Sequence, residues 1–352
     1  MGESDLFGPT MTISQAKNYI KILAADKKKR AMFSLCMWGP PGVGKSDASR
    51  QAANEIGIDY KRQGVSTVDY IKVAGYPELQ GKGSNRRAVS HSFLNVPADG
   101  EGIWVFDDWT HAPAPVQNLM MDAALFREIN EKKIGDGWLL VLCANQVGVG
   151  VHSMGQAVSG RFLHVHVVPD LESFKSYALK NDLRPEIIGF LEASPDYLYV
   201  SPDNEERAYP TPRSWEKLSH LLDANYSLKD GTRLGLHQAD PELLQHFIGS
   251  AVGPATAPSV ASFVSAYGLV DVEEAASGSL DNLYSLSGAD SAELLVLGVS
   301  LVAGARVWWN RQSKREYVSI AKGLGNILRY LPQNLQVRLL TDIQRTDDSG
   351  YR

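Results

Sequence analysis

Gly39-Pro40-Pro41-Gly42-Val43-Gly44-Lys45-Ser46 is the stretch on which the fold of this chain turns. It fits the pattern G-x-x-x-x-G-K-[ST], and each fixed position answers a physical need. Glycines let the backbone curl until successive N–H groups point inward at an anion, and a helix starting where the curl ends adds the positive end of its dipole. Lys45 then extends toward β- and γ-phosphates, and the Ser46 hydroxyl toward Mg²⁺. Asp47 is the next residue of that helix and is grouped with the loop. In a chain of 352 residues a chance match is on the order of one in a hundred. The expected occupants are ATP and Mg²⁺.

The flanks supply the context such a loop requires. Ala31 to Trp38 is an apolar run stopped by Gly39-Pro40-Pro41-Gly42, which reads as a buried strand, and Ser46 to Ile56 has helical character. Further buried strands are expected at Gly102–Phe106, Leu139–Ala144 and Phe162–Val168, with a helix over Ala114–Phe126 between the first two. Ile13 to Arg30 reads as an amphipathic helix with Ile20, Ile22 and Leu23 on one side. Its end, Lys27-Lys28-Lys29-Arg30, suits the negative pole of a helix dipole. Apolar strands alternating with helices imply an α/β fold, a P-loop NTPase parallel sheet with helices on both faces.

A phosphate loop needs a carboxylate at the end of another buried strand. Ile103-Trp104-Val105-Phe106-Asp107-Asp108 supplies four apolar residues and then two acids. Asp107 is expected to hold Mg²⁺ through water, and Asp108 to orient or deprotonate the attacking water. The run Leu139 to Ala144 ends in Asn145, beside the crevice where doubly wound sheets take their ligands. Turn formation is an equally ordinary job for an asparagine there.

After Val168 the character changes to helices broken by Pro- and Gly-rich connections. The expected division is an α/β core over 1–168, a helical connection and loop over 169–211, a helical lid and C-terminal region over 212–346, and a tail over 347–352. Apolar residues make up 44% of the chain and charged residues 21%, so a sizeable core is affordable. A net charge of −5 argues against a protein that coats nucleic acid generally, without excluding a local basic patch. The two cysteines, Cys36 and Cys143, sit alone in apolar runs, which fits buried thiols in a reducing cytoplasmic compartment. The most apolar stretch, Leu294 to Ala305, is well short of the ~20 residues a bilayer needs, so no membrane insertion is expected.

With three strand ends assembled, the sequence resembles the AAA+ superfamily of ATPases, and within it the MoxR-type proteins. The Gly39–Ser46 loop is typical of AAA+ proteins. Asn145, in Cys143-Ala144-Asn145-Gln146, resembles sensor 1, and Gly160-Arg161-Phe162 resembles the motif carrying an arginine finger. Tyr209-Pro210-Thr211-Pro212-Arg213-Ser214-Trp215-Glu216 looks like the start of a lid helix bearing sensor 2, with Arg213 as its arginine. Pro115-Val116-Gln117 and Ile187-Ile188-Gly189-Phe190-Leu191 are similar to a bacterial and phage-associated MoxR-like branch. The resemblance runs from about Ile13 to Leu222.

That resemblance implies ATP hydrolysis in a homo-oligomeric ring, a hexamer, in which Arg161 acts on a neighbour's nucleotide. It implies nucleotide bound between core and lid, and remodelling or activation of a client protein, with a von Willebrand factor A domain protein as partner. A nucleic-acid motor or loader on the same fold and a slow or non-hydrolysing scaffold are the alternatives. Two insertions are expected to face the client: Gly75 to Phe93, with Gly81, Gly83, Asn85, Arg86 and Arg87, and a hairpin over Phe126 to Trp138 turning at Asn130-Glu131-Lys132-Lys133. One departure stands out. The family's acid pair is Asp-Glu, whereas this chain has Asp107-Asp108. His164 and His166 share one strand face but lack the neighbours of a zinc site, and Trp308-Trp309 reads as a packed helix end.

Overall fold

Ser34-Leu35-Cys36-Met37-Trp38 is buried at every position, which a strand achieves with a partner on each side and helices above and below. The computed structural model describes residues 8–68, 71, 75–81, 87–91, 95–129, 132–145, 160–202, 206–227, 236, 239–267, 272–277 and 317–329, with single positions at 301–302, 305, 333, 336–337, 339–341 and 343. The tip of the first insertion (Gly83, Asn85, Arg86), the turn Asn130-Glu131, residues 294–300 of the apolar stretch, Trp308-Trp309 and the tail 347–352 lie outside the described residues. The chain divides into two compact units, Met1–Asp170 and Leu171–Arg352.

In the first unit the strands are, in chain order, β1 (Thr10–Thr12), β2 (Ser34–Trp38), β3 (Asp59–Gly64), β4 (Tyr76–Gln80), β5 (Arg87–His91), β6 (Gly102–Asp107), β7 (Glu128–Ile129), β8 (Lys132–Lys133), β9 (Trp138–Ala144) and β10 (Leu163–Val168). Six of them form one sheet, in the order β1-β10-β2-β9-β6-β3, and every pairing in it is parallel. Parallel register brings Trp38 level with Ala144 and His166, so β2, β9 and β10 run side by side toward one end. The other four strands make two antiparallel hairpins, β4–β5 and β7–β8, at the two expected insertions.

The side-chain alternation of strands explains the two covered faces. Cys36, Trp38, Trp104, Phe106, Leu140 and Leu142 cluster with Val116 and Ala123 of helix α3 (Ala114–Phe126). The intervening residues Leu35, Met37, Ile103, Val105, Leu139 and Val141 are fully buried as well. Helix α2 (Lys45–Ile56) packs on β3, β6 and β9, and α1 (Ile13–Ala25) packs on α2 and β10. This is the P-loop NTPase architecture.

Three expectations need correction. Helix α1 stops at Ala25, because Asp26 turns the chain by accepting the Lys28 amide at 2.9 Å, so Lys27–Lys29 lie beyond the helix. Arg30 is buried: its guanidinium donates to Ala24 O (2.5 Å) and Gly137 O (3.2 Å) and pairs with Glu101 at 2.7 Å. That bond holds the Glu101 carboxyl below its usual range. Ile22 is exposed while Ile20 and Leu23 are buried, as a 3.6-residue period requires of positions two apart. Two strands of the sheet were not expected: β1, which is three residues long, and the polar β3.

The second unit is helical over Leu171–Lys180, Pro185–Ala193, Pro212–Asn225, Pro241–Val252, Ala257–Tyr267, Val272–Ser277 and Tyr317–Leu328. Its core includes Phe190, Leu191, Trp215, Leu218, Ile248 and Phe263, with the Phe190 ring 5.6 Å from that of Trp215. Arg184 is wholly buried there, paired with Asp223 at 2.9 Å and Glu186 at 3.2 Å. No helix among the described residues is long and apolar enough to cross a membrane.

Candidate nucleotide site

The phosphate loop leaves the carboxyl end of β2, and its geometry depends on its glycines. Gly39 has φ +154, and a Cβ there would stand 2.3 Å from the Val167 carbonyl oxygen of β10. Gly44 caps α2 in the left-handed region, φ 97, where a side chain is strained. Pro40, Pro41, Gly42 and Val43 complete the curl, with Val43 buried. The first amides of α2 have no acceptor within the helix and carry its positive pole. Asp47 lies in that first turn, but its carboxylate is turned out to Arg50 at 3.0 Å, so only its backbone belongs with the loop.

Lys45 is buried, and its ammonium sits inside the curl. Nζ donates to Gly39 O (2.7 Å), Pro40 O (2.8 Å) and Asn145 Oδ1 (3.0 Å). Asn145 is therefore drawn into the site by the neighbouring strand β9. Its own amide N–H donates to Thr110 Oγ1 at 3.0 Å, and its Nδ2 lies 3.4 Å from His111 Nδ1. Gln117 of α3 donates to Trp109 O at 3.1 Å, which ties the helix to the turn carrying Thr110 and His111.

The acid pair ends β6, one strand beyond β9. Ser46 Oγ donates to Asp107 Oδ2 at 2.9 Å, so the hydroxyl and the carboxylate expected to share a cation already face each other. Asp107 Oδ1 accepts the Asp108 amide at 3.1 Å. Asp108 itself adopts φ 57, ψ 39, a left-handed conformation that aspartate tolerates better than most residues. Tyr60 of β3 donates to Ser46 O at 3.3 Å; burial pushes its hydroxyl up to about 12, so it stays a donor at neutral pH.

One participant had no sequence signal. Arg62 of β3 donates from Nε to Asp107 Oδ2 at 2.7 Å and pairs through Nη2 with the same oxygen at 2.6 Å. The Asp107 hydrogen bond raises the arginine's pKa further. Its strand, Asp59-Tyr60-Lys61-Arg62-Gln63-Gly64, lacks the apolar run by which the other strands announce themselves.

The two expected arginines are placed differently. Arg161 is exposed and precedes β10, at the amino end of that strand. Leu163 pairs with Leu35 and His166 with Trp38, so the start of β10 already lies about 10 Å behind the loop's starting level, at ~3.3 Å per residue, and Arg161 precedes it through a turn. One side chain does not span that distance. Arg213 is the exposed second residue of the helix Pro212–Asn225 in the other unit. Among the described residues no group of three or more His, Cys, Asp or Glu forms a cage for a metal ion, and Trp38 Nε1 donates to His164 Nδ1 at 2.9 Å.

The core thus has the sheet, loop and strand-end acids of the P-loop NTPase fold class. No protein-family profile and no curated protein matches this chain. Solved structures match at low identity. NtrX from Brucella abortus in complex with ADP is 14% identical over 72% of this chain, which spans 62% of that one, with a TM-score of 0.40. A RuvB mutant from Thermotoga maritima is 12% identical, with 81% of this chain and 87% of that one covered and a TM-score of 0.37. A DNA polymerase III gamma subunit-related protein from Thermotoga maritima is 14% identical, with 96% and 100% covered and a TM-score of 0.34. Likeness at this level carries no functional argument, and the assignment of function rests on the chain's own geometry.

Proposed function

We propose that this protein is an ATPase of the AAA+ type, binding ATP with Mg²⁺ at the Gly39–Ser46 loop. The observation that carries this reading is the convergence of Lys45, Ser46, Asp107 and Asn145, bonded to one another at 2.9 and 3.0 Å, at the carboxyl ends of three adjacent parallel strands. Phosphoryl transfer asks a protein mainly for positioning and for charge opposite the γ-phosphate. The loop amides and Lys45 supply both. With its backbone N–H held by Thr110, Asn145 can turn its side-chain amide from Lys45 to the γ-phosphate and the lytic water, which Asp108 orients. Ser46 and Asp107 fit Mg²⁺, which takes few protein oxygens and fills its shell with phosphate and water. When bound, Mg²⁺ neutralises charge on the β- and γ-oxygens.

The finer reading is a MoxR-type ATPase working as a hexameric ring on a client protein, with a von Willebrand factor A domain partner. It is supported by the Gly160-Arg161-Phe162 and Pro212-Arg213-Ser214-Trp215-Glu216 strings, and by the distance of Arg161 from its own chain's loop, which suits action on a neighbour. The β4–β5 hairpin and the end of α3 that leads into the β7–β8 hairpin would then present Leu79 and Phe126, both exposed, toward the client. Isothermal calorimetry of the folded protein with Mg²⁺ and ATP or ADP tests the core claim. Heat of association is expected, and Lys45→Ala is expected to abolish it; a folded wild-type protein giving no heat ends the proposal.

A further inference from the structure

Asp107 Oδ2 is crowded with donors. It accepts the Ser46 hydroxyl at 2.9 Å and both Nε and Nη2 of Arg62 at 2.7 and 2.6 Å. A carboxylate oxygen has two lone pairs, so three donors saturate it. Its sister Oδ1 takes the Asp108 amide. A divalent cation approaching through water or directly therefore finds no free acceptor on the side of the carboxylate that faces Ser46. The Ser46 hydroxyl can yield by rotating about one bond. A guanidinium cannot, because its charge would repel a cation on the same oxygen; it has to leave. The means of leaving are present: the Arg62 side chain is 54% exposed, against 9% for Asp107, and belongs to the edge strand of the sheet.

We propose that Arg62 and the divalent cation are alternative partners of one Asp107 oxygen, so that Arg62 sets how much Mg²⁺ the nucleotide site requires. In the metal-free state the guanidinium keeps Asp107 paired and aimed; on metal binding it withdraws to solvent. Arg62 is thus a positioning residue for the metal carboxylate, and Mg²⁺ affinity is reduced by the cost of displacing it. This deepens the nucleotide reading and rests on it.

The test uses the full chain and fluorescent methylanthraniloyl-ADP, titrated with Mg²⁺ at fixed nucleotide, together with Mn²⁺ as a paramagnetic probe of the same site. Arg62→Ala is expected to lower the Mg²⁺ midpoint roughly three- to tenfold, since a charge-assisted bond of this kind no longer competes. Arg62→Lys keeps the charge but loses the double donation, and should fall between. Arg62→Gln serves if the alanine variant does not fold. Free Mn²⁺ signal should disappear at correspondingly lower metal concentration. A midpoint that is unchanged or raised in the variants, while wild type binds nucleotide normally, overturns the exchange and leaves the nucleotide reading standing. Absence of nucleotide binding in folded wild type overturns both.

Discussion

Asp108 is the residue at which chemistry and geometry pull apart. Its side chain is one methylene shorter than the glutamate of the AAA+ pattern that the sequence resembles, placing the carboxylate ~1 Å further back, and misplacement of that size can cost on the order of 10²-fold in rate. Its left-handed backbone re-aims the side chain relative to an ordinary strand end. If length limits turnover, Asp108→Glu raises kcat while leaving ADP affinity unchanged, which a steady-state assay beside calorimetry will show; a rate that does not rise means the backbone already delivers the shorter acid. The positions of Lys45 and Ser46 were legible in the glycine pattern of the loop, and those of Asp107 and Asn145 because each ends or follows an apolar run. Arg62, Tyr60, Thr110 and His111 were not. Arg62 and Tyr60 sit on an edge strand with no apolar pattern, and Thr110 and His111 act through backbone and amide contacts that only the fold brings together.

Elements reward the same comparison. The string Thr211-Pro212-Arg213-Ser214 announces a helix start, and the structure builds it as a capping box: Thr211 Oγ1 accepts the Ser214 amide at 3.0 Å, and Ser214 Oγ accepts the Thr211 amide at 2.7 Å. Pro212 fits the first turn because no intrahelical partner is needed there. Removing the cap with Thr211→Ala is expected to cost about 1 kcal/mol of stability in denaturant unfolding. A loss well below that would mean Ser214, which also donates to Tyr209 O at 3.0 Å, holds the turn alone. The end of α1 departs from the sequence expectation for a local reason. Its basic run looked like a helix pole, whereas Asp26 captures the Lys28 amide and Arg30 is pulled inward to Glu101. Single-sequence periodicity sees neither bond. The four apolar sheet strands match expectation to within a few residues at each end because burial on both faces leaves them mostly apolar, with His164 and His166 of β10 too few to break the run.

At the scale of the whole molecule, the proposed action of Arg161 on a neighbour's nucleotide would make assembly a catalytic requirement. Arg161→Ala is expected to keep ATP binding and lose turnover, and mixing it with Lys45→Ala should restore part of the hydrolysis at interfaces where an intact loop meets an intact Arg161; such fingers are typically worth ~10³–10⁵ in rate. No recovery in verified mixed assemblies would confine Arg161 to a structural job. The nucleic-acid alternative predicts stimulation by DNA or RNA with steep salt dependence, and the buried Arg30 adds nothing to a basic surface that could support it. β3 carries a separate consequence. It closes one side of the sheet among the described strands, so its outer amides form an open template on which another chain could lay itself down. Lys61 and Arg62 stand along that border, and charge beside an open ladder discourages strand addition and fibre growth. Copies crowded together are thus steered away from zipping edge to edge, and a branched aliphatic replacement at Lys61 would invite aggregation.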